Sequence, residues 1–90
     1  MNAKEIANIA KNYITEIYSD ENVTNVGLEE VDYDTPNGTW YVTIGFSRPW
    51  DEPKNVLIAL ATQIIKRTYK ILRISDTGDV LSIKNRDITK

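Results

Sequence analysis

Ninety residues, with 41% apolar and 27% charged side chains and a net charge of −2, are expected to form one α+β domain spanning 1–90, not a disordered chain. Cysteine and histidine are both absent, which excludes disulfide staples and thiolate metal sites and removes the commonest general base, zinc ligand and pH switch. Charge is unevenly spread: residues 1–53 hold three bases against ten acids, a balance of −7, whereas residues 54–90 hold eight bases against three acids, a balance of +5.

Residues 2–18 predict an amphipathic helix. Ile6, Ile9, Ala10, Tyr13, Ile14 and Ile17 recur at spacings of three and four and so form one apolar stripe. Asn2 is placed to cap the first turn, and Ser19-Asp20-Glu21-Asn22 breaks the pattern. The opening Met1-Asn2-Ala3-Lys4-Glu5 lacks the basic patch and apolar run of a secretory signal. The longest strongly apolar run, Val56 to Ala61, is six residues, far short of the ~20 that span a bilayer. The expectation is a cytoplasmic protein with no membrane span.

Residues 23–33 predict a strand of broken parity. Val26 and Leu28 share one face and Val31 and Tyr33 the other, so a bulge near Glu29-Glu30 would restore all four to one side. Thr35-Pro36-Asn37-Gly38 is a turn, since proline presets φ while Asn and Gly tolerate the left-handed conformation. Trp40, Val42, Ile44 and Phe46 then alternate with Tyr41, Thr43, Gly45 and Ser47, the clearest strand of the chain. The first of these rows is expected to dock on the helix.

Pro49 and Pro53 end that strand, because neither can donate to a ladder. Over residues 54–68 two readings stand. Leu57, Leu60, Ala61 and Ile64 fit a helical stripe behind Pro53, whereas Ile64-Ile65 and Thr68-Tyr69 have strand character, so a short helix or loop is expected over 54–62. Residues 69–75 and 80–85 predict two strands joined by Asp76-Thr77-Gly78-Asp79. The expected fold is α+β: an N-terminal helix packed on a four-stranded antiparallel sheet, in the order α-β-β-(short α or loop)-β-β.

The closing hairpin, Tyr69-Lys70-Ile71-Leu72-Arg73-Ile74-Ser75-Asp76-Thr77-Gly78-Asp79-Val80-Leu81, resembles the end of PepSY-type domains. There an extended strand runs into an acidic residue, a Thr-Gly turn and a short apolar strand. The helix-first order agrees, and Trp40-Tyr41-Val42-Thr43-Ile44 stands where such domains place an aromatic-rich central strand. Ser75 occupies a position where the family usually has aspartate, and residues 49–68 have no counterpart in it. The resemblance implies a small binding module of the kind fused to or acting on peptidases, commonly outside the cytoplasm. It supplies no catalytic residue.

Three groups of residues invite functional readings. Glu29, Glu30, Asp32 and Asp34 could attract a divalent cation, but alternate residues on a strand lie ~7 Å apart, too dispersed for a compact cage. A solvated strand face is the expectation. Lys66, Arg67, Lys70 and Arg73, with Tyr69 among them, could bind nucleic acid if they shared a face. The acidic charge elsewhere argues against it, and pairing across the sheet with acids of the first strand is the simpler account. Phe46-Ser47-Arg48-Pro49-Trp50 offers arginine and tryptophan, which concentrate at interface centres, although Trp50 could equally close the open end of the core. Trp40 reads as structural.

Val56-Leu57-Ile58-Ala59-Leu60-Ala61 is apolar all round, so it is either a second core element or an exposed patch that implies a partner. The expected partner-binding residues are Arg48, Trp50, Val56, Leu57, Leu60 and Ile64. Ser47, Ser75 and Ser82 have no histidine to activate them, and no phosphate loop occurs. The reading is a non-catalytic protein-binding or regulatory module with no cofactor and no metal, its partner another protein or a second copy. Two alternatives stand beside it. One is a self-associating structural domain in which the acidic half of one copy meets the basic half of another. The other is a nucleic-acid binder using Lys66, Arg67, Lys70 and Arg73.

Overall fold

The computed structural model describes residues 1–49 and 67–86. Helix α1, Ala3–Ile17, opens on a reciprocal cap: the Glu5 N–H donates to the Asn2 side chain and the Asn2 N–H to the Glu5 carboxylate, each at 2.9 Å. Two donors that a helix start leaves unsatisfied are thereby met, which stabilises the first turn by about 1 kcal/mol. Ile6, Ala7, Ala10 and Ile14 are buried, with Ile9 and Tyr13 packed at their flank.

Ile17 departs from expectation and is 49% exposed. The buried ridge runs at steps of four through Ile6, Ala10 and Ile14, and the next step is Tyr18, not Ile17. The Tyr18 ring lies 5.2 Å from that of Phe46 and closes this end of the core.

Four strands follow: β1 (Thr24–Asp34), β2 (Thr39–Ser47), β3 (Thr68–Ser75) and β4 (Val80–Asn85). They form one sheet in the order β1-β2-β3-β4, with every neighbouring pair antiparallel. The chain is thus an α+β fold with its N-terminal helix packed on a four-stranded antiparallel sheet. The short helix or loop expected over 54–62 lies outside the described residues, as do Trp50, Val56, Leu57, Leu60 and Ile64.

One face of the sheet receives α1. Val42, Ile44 and Phe46 of β2 and Leu72 and Ile74 of β3 are fully buried against Ile6, Ala10 and Ile14. The register explains the grouping, since Val42 stands opposite Leu72 and Trp40 opposite Ile74, and residues paired across strands share a face. Each such side chain contributes about 1.5–3 kcal/mol on burial.

Strand β1 carries the expected bulge. Its register shifts between Leu28 and Glu30, so Glu29 is the extra residue, and Leu28 and Val31 both come to the helix side opposite Ile44 and Val42. Val26 and Val31 pack on the core, while Leu28 stays 43% exposed. A second shift, between Thr24 and Gly27, surrounds Asn25, whose φ of 55° is left-handed. On the opposite margin β4 is irregular too: Ile74 pairs with Val80 and Arg73 with Ser82, leaving Leu81 extra and half in solvent.

Gly78 turns the second hairpin at φ 95° directly under the helix start, where an added Cβ would stand 3.1 Å from Met1 Sδ and 3.3 Å from Ile9 Cδ1. This glycine serves both the turn and the close approach.

Candidate functional site

Several polar residues singled out in the sequence are engaged inside the fold. Arg48 Nε lies 3.0 Å from Glu21 Oε1, and its guanidinium sits 5.1 Å from the Tyr18 ring and 5.4 Å from the Phe46 ring. The end of β2 is thus tied to the single 3₁₀ turn after α1, and Arg48, expected at a partner surface, is half-buried in these contacts. Lys70 adds a second cation 5.9 Å from Tyr18 and donates to the Asn85 side chain.

At the other end of the sheet, Asp76 joins the two hairpins. Its carboxylate accepts from Trp40 Nε1 at 3.2 Å and from Tyr33 Oη at 3.3 Å, and its N–H donates to the Gly38 carbonyl at 3.0 Å. The Tyr33 and Trp40 rings are 4.5 Å apart and tilted by 47°. Desolvation beneath this cluster, then the charge and hydrogen bond of Asp76 and the charge of Asp34, push the Tyr33 phenol above its ordinary pKa. Trp40 is structural, as its phase implied.

Arg67 reaches across β2 to the bulged strand. Its Nη2 donates to the Asn25 carbonyl at 2.9 Å and lies 3.6 Å from Glu29 Oε2. The crossing passes over Gly45, where a Cβ would meet Arg67 Nη2 at 2.9 Å and Glu29 Oε2 and Tyr69 Cε1 at 3.0 Å. Pairing between the basic stretch and the first strand is thereby realised at Arg67, made geometrically open by a missing side chain. Lys66 lies outside the described residues.

Apart from these internal ties, Glu30, Asp32, Arg73 and Lys84 stand exposed on the sheet face turned away from α1, around the buried Thr43. Registered partners build this face in rows. One row runs Asp32, Tyr41, Arg73, Ser82; the next runs Glu30, Thr43, Ile71, Lys84. Each passes from acid at the β1 edge towards base on the β3–β4 side. Glu30, Asp32, Arg73 and Lys84 are exposed and form no ion pair among the described residues. Asp34 accepts instead from the Asn37 side chain at 2.7 Å and belongs to the turn.

A shallow depression of about 370 Å³ lies on this face, lined by Tyr41, Ile71, Arg73, Ser82, Lys84 and Asn85. Its chemistry is an aromatic ring, an aliphatic side chain and two cations, suited to seating an acidic, partly apolar surface. Among the described residues no group of three or more acids is close enough to hold a metal ion, and no helix is long and apolar enough to cross a membrane.

Sequence reasoning passed over Tyr41, Ile71 and Lys84. The signal was available in the alternation itself: the phase that buries Val42 and Leu72 turns Tyr41, Ile71 and Arg73 outward together. No protein-family model, curated protein or solved structure matches the chain.

Proposed function

We propose that the chain is a non-catalytic, cytoplasmic protein-binding or regulatory module of PepSY-like character, acting through the exposed residues of the sheet face turned away from α1. The observation that carries this reading is the Tyr41–Arg73 row beside Ile71 and Lys84. Tyrosine and arginine offer large contact area with directional bonding and are enriched at interface centres, where flanking aliphatic surface excludes water. The non-catalytic part rests on composition, since the chain has neither histidine nor cysteine to supply a base or thiolate nucleophile.

The test is partner capture from the native host with wild type, Tyr41→Ala and Arg73→Glu baits, each checked by circular dichroism. Loss of a captured protein with both folded variants supports the face. A partner retained equally by all three baits removes it.

A further inference from the structure

We propose that the turn joining β1 to β2 is a self-modifying site, at which Asn37 deamidates through the Gly38 nitrogen and the Asp34 carboxylate sets the rate. The inference is independent of the binding reading above. Asn37-Gly38 is the sole asparagine–glycine step in the chain. Asn37 closes the 3₁₀ turn Thr35–Asn37 and is exposed, and Gly38 follows it at φ 59°.

The reaction consumes only water. The Gly38 nitrogen gives up its proton to solvent hydroxide and attacks Asn37 Cγ. The Cγ–Nδ2 bond breaks, and Nδ2 takes a proton from water and leaves as ammonia. Water then opens either carbonyl of the cyclic imide, so that residue 37 becomes aspartate or isoaspartate. Nothing is oxidised or reduced. A side chain on the following residue would crowd the ring, and position 38 carries none, because its left-handed φ favours glycine. The residue that the turn demands is therefore the one that leaves the attack unhindered.

Two hydrogen bonds hold the reacting groups apart. Asn37 Nδ2 donates to Asp34 Oδ2 at 2.7 Å, a charge-assisted contact. The Gly38 N–H donates to the Thr35 carbonyl at 3.3 Å, longer than the usual range. Attack requires both to break, since the side chain must leave Asp34 to swing onto its own following amide. The reaction thus starts from a locally opened turn, and the Asp34 contact is the stronger latch. The product does not re-form that latch. A carboxylate at position 37 has no N–H to offer and meets Asp34 as a like charge. The isoaspartyl form also adds a carbon to the backbone beside Gly38, whose carbonyl receives the Asp76 N–H at 3.0 Å.

Peptide mapping by mass spectrometry, on the full chain held folded in mildly alkaline buffer, decides it. Conversion at residue 37 is expected to grow with time and to yield a more acidic species that anion exchange resolves. Asp34→Ala should raise the rate about tenfold, as loss of a hydrogen bond to a charged group implies. Asp34→Asn keeps a neutral acceptor and should fall between the two. Asn37→Gln, whose ring closure is disfavoured, should keep its charge. In urea, with the turn released, wild type should convert faster than when folded and at the same rate as Asp34→Ala. Should Asp34→Ala lose its helical spectrum, the folded Asp34→Asn variant carries the comparison. A folded wild type still unconverted when its urea-unfolded form has converted overturns the site. Folded residue-34 variants that convert no faster than wild type overturn the role of Asp34.

Discussion

The two faces of β2 are built from one alternating run and do opposite work. Val42, Ile44 and Phe46 turn towards α1 into the buried core with half-buried Trp40 at its margin, while Tyr41, Thr43 and Gly45 turn the other way, Tyr41 exposed and Thr43 and Gly45 buried. On the first face energy comes from area removed from water, with no directional demand. On the second, position matters more than area: Gly45 contributes by lacking a side chain, and Tyr41 by presenting one. Substitutions on the first face should therefore act on stability and those on the second on contacts.

The largest effect is expected at Phe46→Ala, which empties a fully buried site beside Tyr18 and takes away a ring beneath Arg48. A loss of about 3–5 kcal/mol follows from cavity formation, a large share of a small domain's stability, and urea unfolding measures it. Asp76→Ala comes next. It strips an acceptor from Tyr33 and Trp40 together, but both bonds are exposed, so a cost of about 0.5–1.5 kcal/mol is expected, read in the same assay.

Gly45→Ala sharpens the comparison on the other face. The new Cβ displaces the flexible ends of Arg67 and Glu29 but also presses on the Tyr69 ring, so a cost of about 1 kcal/mol is expected. In a double-mutant cycle with Arg67→Ala, the two losses should fall short of additive. Tyr41→Ala is expected to change stability by less than about 0.5 kcal/mol while weakening association.

A titration addresses the Asp76 cluster separately. Because folding raises the Tyr33 pKa, the folded state favours the neutral phenol. Its contribution is whole below the unfolded value of about 10 and drains away as pH climbs through the higher folded value. The 295 nm absorbance difference between wild type and Tyr33→Phe should therefore rise above pH 10, and the step should move down in Asp76→Asn. A step at or below 10 in the wild type would remove the Asp76 cluster as its cause.

Much of the framework was legible because it depends on local rules. The stripe through Ile6 and Ile14, the strict alternation after Thr39 and the parity break at Glu29 each announce an element or its fault. Asn25 was not legible, since an asparagine in left-handed conformation has the same composition signal as one in any polar turn. Ile17 was misplaced because spacings of three and four both fit a stripe, whereas the buried ridge follows steps of four through Ile6, Ala10 and Ile14 to Tyr18. The Arg67 bridge needs knowledge that β1 and β3 flank a glycine, which no spacing along the chain supplies. Tyr41, Ile71 and Arg73 follow from the same alternation, in the phase opposite to the buried Val42 and Leu72.

The irregular margins of the sheet have a consequence for how copies can meet. Both outermost strands are kinked, β1 at two places and β4 at Leu81, and β1 is fringed with carboxylates. Broken edges of this kind deny a neighbour the straight row of free amides that a growing cross-β ribbon needs. Crowding should therefore not drive edge-to-edge growth into fibrils through β1 or β4.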